Sequence, residues 1–119
     1  MIFFKTLFFI LLQFWLTLVQ AHAFVEQQQP KAGEELNSSP QAIVLTYNKN
    51  IEPTFSTIQI INVESHVVIE TDKAKGVEGQ SNKLVLSLPK LTKGEYRVRW
   101  VALSRDGHRT MGDYTFTIQ

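Results

Sequence analysis

Apolar and polar residues alternate with a period of two over most of the chain beyond residue 40. In AIVLTY (42–47), Ile43, Leu45 and Tyr47 share one face. TIQIINV (57–63) and HVVIE (66–70) are short and β-branched, and KLVLSL (83–88) sets Leu84, Leu86 and Leu88 on one side. GEYRVRWVAL (94–103) turns Tyr96, Val98, Trp100 and Ala102 one way and Glu95, Arg97 and Arg99 the other. MGDYTFTIQ (111–119) alternates Tyr114, Phe116 and Ile118 against Asp113, Thr115 and Thr117. Period two with β-branched and aromatic residues marks half-buried strands. Between these runs lie QPKAG (29–33), NSSP (37–40), KNIEP (49–53), DKAKGVEGQSN (72–82) and LTKG (91–94), all rich in turn residues. The longest of them, 72–82, reads as a mobile connection. No window carries a helical stripe of useful length. The pattern predicts an all-β fold, a two-sheet antiparallel sandwich of about seven strands.

The first 23 residues, MIFFKTLFFILLQFWLTLVQAHA, break this pattern. Lys5 precedes an apolar run from Leu7 to Val19, and small residues follow, as in a cleaved secretory signal. An uncleaved membrane anchor is the alternative reading. Gln13 and Gln20 weaken it, while Ala21 and Ala23 supply the small residues a signal peptidase needs. The expected organisation is a signal at 1–21 and a single domain at 22–119. Losing Lys5 with the signal leaves 11 basic against 11 acidic residues. A neutral domain without a basic stripe excludes nucleic acid as a partner. The chain has no cysteine. An exported protein of this kind therefore has no disulfide partner, and zinc-ribbon, thiol-nucleophile and blue-copper chemistry are ruled out.

The peptidase has two choices. Cutting after Val19-Gln20-Ala21 leaves His22 first, and cutting after Ala21-His22-Ala23 leaves Phe24 first. The first product is a potential chelator, because an N-terminal histidine offers its α-amine and its Nδ1 to one ion. Nitrogen donors in a tetragonal plane suit Cu(II), which heads the divalent affinity order. SRDGH (104–108) could add His108 as a nitrogen and Asp106 as an oxygen. Taken alone, Asp-Gly-His is more often a turn than a ligand pair. His66 has no ligand-type neighbour at useful spacing and reads as an edge residue. Met111 is a lone thioether, Trp100 a core residue, and Arg97, Arg99, Lys90 and Lys93 a solvated face. Catalytic motifs such as GxSxG and HExxH are absent, and nothing near Ser104 specifies a triad.

Three stretches carry a family resemblance: AHAFVEQQQPKAGEEL, SSPQAIVLTYNKNIEPTFS and LTKGEYRVRWVALSRDGHRTMGDYTFTI. In this order they resemble the CopC-type copper-binding proteins of the bacterial periplasm over nearly all of 22–118. The last is the most specific, with G-x-Y-x-V-x-W, then S-x-D-G-H, then G-x-Y-x-F. The resemblance implies a Greek-key β-sandwich of the immunoglobulin or cupredoxin-like kind. It also implies a Cu(II) site at His22, Asp106 and His108, cleavage after Ala21, and a periplasmic role in copper resistance or homeostasis. That role is buffering or delivery, with a membrane copper transporter as the partner class, and not catalysis. Two departures stand out. Some family members carry a Glu where this chain has Lys49, with Glu52 three residues on, and the Met-rich Cu(I) loop of some members has no counterpart here. Two other readings compete: a metal-free sandwich module for adhesion or assembly, and a histidine-brace copper enzyme.

Overall fold

The computed structural model describes residues 22–119, so the signal expected at 1–21 lies outside the described residues. Eight strands form: β1 (Val25–Gln29), β2 (Glu35–Leu36), β3 (Ala42–Tyr47), β4 (Thr57–Asn62), β5 (Lys75–Val77), β6 (Gln80–Ser87), β7 (Gly94–Leu103) and β8 (Arg109–Ile118). They build two four-stranded sheets, ordered β1-β3-β6-β5 and β2-β8-β7-β4. The chain passes between sheets five times, at β1–β2, β2–β3, β3–β4, β4–β5 and β6–β7. This is the expected Greek-key sandwich. All pairings are antiparallel except β2 with β8, which is parallel and two residues long.

The alternation read from sequence is the core. Ile43, Leu45 and Tyr47 face Leu84 and Leu86 within one sheet, and Tyr96, Val98, Trp100, Ala102, Tyr114, Phe116 and Ile118 line the other. Each is buried because period-two side chains project to one side of a pleated strand. One aromatic contact joins the layers and one lies within a sheet: Tyr47 meets Trp100 edge-on across the core at 5.3 Å between ring centroids, and Tyr96 stacks on its β8 neighbour Phe116 at 5.8 Å. Trp100 sits opposite Gly112 in the β7–β8 register, and its indole fills the space a side chain at 112 would need.

Two expectations are corrected. Residues 66–70 do not form a strand. His66 adopts φ 61°, Val67 and Val68 are more than half exposed, and the segment touches β4 through a single bridge, Ile61 to Val68. Residues 72–82 are not an open connection. They fold into the β5–β6 hairpin, which turns at Gly79 with φ 78°. The polar stretch VEQQQ, given no element from sequence, is the edge strand β1.

Candidate metal centre

SRDGH closes the β7–β8 hairpin. Ser104 N–H donates to the His108 carbonyl at 2.9 Å, and Gly107 N–H donates to the Ser104 carbonyl at 3.0 Å. Gly107 takes φ 90°, so Arg105-Asp106-Gly107 is a three-residue loop ending in a left-handed glycine. The turn reading of Asp-Gly is therefore right. The same turn also gathers polar groups. Asp106 Oδ1 accepts from the Ser104 hydroxyl, from His108 N–H at 3.2 Å and from His108 Nδ1 at 3.1 Å. These donors, the Ser104 hydroxyl foremost and then the His108 side chain and backbone, hold the Asp106 carboxyl down at about 2.

That arrangement sets the histidine. An ionised carboxylate only accepts, so Nδ1 of His108 carries the proton and Nε2 keeps a free lone pair. Ser104 is 2 % exposed and its hydroxyl serves the carboxylate, with the His108 carbonyl oxygen 3.1 Å away. It bonds no imidazole, so it has no base to make it a nucleophile.

His22 arrives from the other end of the chain. Its ring stands edge-on to that of His108, with centroids 5.1 Å apart and planes at 83°. With metal–nitrogen bonds of about 2 Å, two imidazoles on one ion hold their centroids roughly 4.5–6.5 Å apart between cis and trans placement. The observed spacing fits a shared ion. The described side chains by themselves do not gather three His, Cys, Asp or Glu groups into a cage.

Sequence reading missed what holds His22 there. Asn48, just past β3, accepts from Phe24 N–H through Oδ1 at 2.7 Å. Its own N–H donates to the Phe24 carbonyl at 3.0 Å, and its Nδ2 reaches the His22 carbonyl at 3.4 Å. Thr110 on β8 donates its hydroxyl to the Ala23 carbonyl at 2.7 Å. Ala23 itself is fully buried. No motif announces these two residues, because their roles come from register and not from spacing. Glu52 pairs with Arg105 at 3.8 Å, on a partly exposed surface where such a pair contributes little. This contact engages Glu52 with the hairpin loop. His66 sits in the turn after β4 and Met111 on the outer face of β8, exposed by 73 %. A groove of about 690 Å³ is lined by Pro53, Thr57–Gln59 and Thr71–Gly76 and includes none of the site residues.

The fold and these contacts define a class: small β-sandwich proteins with two histidine rings paired at one end, one of them held by a carboxylate. Comparison with known proteins narrows the class: the CopC domain family matches residues 25–119, and the chain belongs to that family. It is 36 % identical over 102 residues to Protein YobA of Escherichia coli K12, covering 85 % of this chain and 82 % of that one. It is 30 % identical over 106 residues to Copper resistance protein C of Escherichia coli, covering 83 % and 82 %. The crystal structure of CopC from Methylosinus trichosporium OB3b superposes with a TM-score of 0.78 at 32 % identity, covering 82 % of this chain and 94 % of that one.

Proposed function

We propose that this chain is exported to the periplasm, cut between Ala21 and His22, and binds one Cu(II) in copper homeostasis. Family membership supports the copper-related part of this reading. The observation that carries the rest is the pairing of the His22 and His108 rings at 5.1 Å, with His108 Nδ1 held by Asp106. In this account the α-amine and Nδ1 of His22 chelate the ion, and Nε2 of His108 adds a third nitrogen. Asp106 orients that imidazole through Oδ1, and its ionised carboxylate offsets part of the ion's charge. Copper is cargo, and the chain buffers it or delivers it to a membrane copper transporter. The role in this reading is binding and not catalysis, in keeping with the copper resistance protein the chain resembles.

The test is competition titration of the protein beginning at His22. Cu(II) is expected to bind one per chain and more tightly than Zn(II) or Ni(II), with a tetragonal electron paramagnetic resonance spectrum showing nitrogen couplings. Binding no tighter than that of an unstructured histidine peptide would leave the metal-free sandwich module as the better reading.

A further inference from the structure

A histidine at a chain terminus is ordinarily a poor half-site. Terminal residues fray, and ordering each backbone unit costs about 1–2 kcal/mol that metal binding must then overcome. Residues 22–24 are not left to fray here. Asn48 holds them from the β1-β3-β6-β5 sheet with three hydrogen bonds, and Thr110 holds them from the other sheet with one. The Ala23 side chain plugs the core between these anchors.

We infer that Asn48 and Thr110 are positioning residues for the metal centre. They fix the His22 segment before any ion arrives and set its spacing from His108. Thr110 matters most. It lies on β8, two residues beyond His108, which immediately precedes that strand, and its hydroxyl grips the carbonyl of the residue next to His22. One bond thus ties the two halves of the site together. Asn48 does the complementary job. It takes the Phe24 N–H and supports both the His22 and Phe24 carbonyls, so the segment cannot swing out as a unit. The ordering entropy is lost during folding, and the ion meets a site close to its final geometry. This inference rests on the copper reading above, and its test separates the two.

The experiment uses the protein beginning at His22, with Cu(II) alone as the probe, and compares Thr110→Val with Thr110→Ser. Valine keeps the shape of threonine and removes the donor, whereas serine keeps the donor. Thr110→Val is expected to weaken Cu(II) about five- to tenfold, as loss of one hydrogen bond implies. Thr110→Ser should stay within about twofold of wild type. In a His108→Ala background the Thr110→Val effect should shrink below about twofold, because no second ring remains to register against. A bond that merely stabilised the fold would weaken both backgrounds alike. Amide hydrogen exchange on the metal-free wild type provides a reading without copper. The Phe24 N–H should exchange at least about a hundredfold more slowly than an unprotected amide. Wild-type affinity in Thr110→Val, or an unprotected Phe24 amide, overturns the inference. Should wild type itself fail to bind Cu(II), the copper reading falls and the positioning role with it. A protected Phe24 amide would then show that the fault lay in the copper reading and not in the clamp.

Discussion

Gly112→Ala probes how rigidly the floor beneath the site is built. A Cβ added at 112 would lie 2.6 Å from Trp100 Cζ2, 2.9 Å from Cε2 and 3.1 Å from Nε1. Carbon atoms rest at about 3.5–4.0 Å, so the indole must retreat by roughly 1 Å. Trp100 has little room to do so. It is 7 % exposed, and Tyr47 stands edge-on against it at 5.3 Å. Overpacking of this kind costs about 1–3 kcal/mol, and the short approach argues for the upper half of that range. Replacing glycine offsets about 0.4–1 kcal/mol of this by restricting the unfolded chain. The net loss is about 1–2.5 kcal/mol, or roughly 5–15 °C in Tm for a domain of this size. Thermal melting of the metal-free protein beginning at His22 reads the loss directly. Trp100 is then the sole tryptophan, so its emission reports whether the indole has moved. Combining Gly112→Ala with Trp100→Phe should cost less than the sum of the two, because the smaller ring vacates the contested space. An unchanged or raised Tm with unchanged emission would refute the argument, since the backbone term alone would then have decided the outcome.

Three further outcomes are expected. His108→Ala should weaken Cu(II) more than Asp106→Ala, since imidazole is the stronger donor, and the His108→Ala apo protein should melt within about 5 °C of wild type; paired titrations and melts check both. Copper should be released on acidification, because the nitrogen donors bind only when deprotonated, whereas Asp106 stays ionised down to about 2; a Cu(II) affinity that did not fall with pH would contradict nitrogen ligation. Tyr114→Phe should leave Tm unchanged or raise it, because the buried Tyr114 hydroxyl has no hydrogen-bond partner to lose; a clear drop in Tm would point to a partner the fold does not show.

The legible parts of the fold were those where burial alternates cleanly. β3, β7 from Tyr96 to Ala102 and β8 from Tyr114 to Ile118 each present one wholly buried face, and their sequences say so. β1 was hidden because an edge strand of VEQQQ buries almost nothing, and β2 because two residues carry no period. HVVIE misled for the opposite reason: β-branched residues favour strands, but His66 in a left-handed conformation turns the segment away after one bridge. The 72–82 stretch hid a hairpin because its strand β5 is three residues long and carries a glycine. At the site, the Asp-Gly-His spacing was visible as a turn or a ligand pair, and the fold uses it as a turn that also orients an imidazole. The anchors of His22 were not visible, since Asn48 and Thr110 act through partners 24 to 87 residues away in the chain.

The central claim is that residue 22 binds copper through its own backbone nitrogen, and blocking that nitrogen tests it. Acetylation of the His22 α-amine converts it to an amide, adds no new amine, and leaves the ring, Asp106 and His108 untouched. Competition titration of the acetylated protein beside the unmodified one should show Cu(II) affinity reduced more than tenfold, equivalent to over about 1.4 kcal/mol. The nitrogen couplings in its electron paramagnetic resonance spectrum should change as well. Equal affinity and an unchanged spectrum would contradict the chelate.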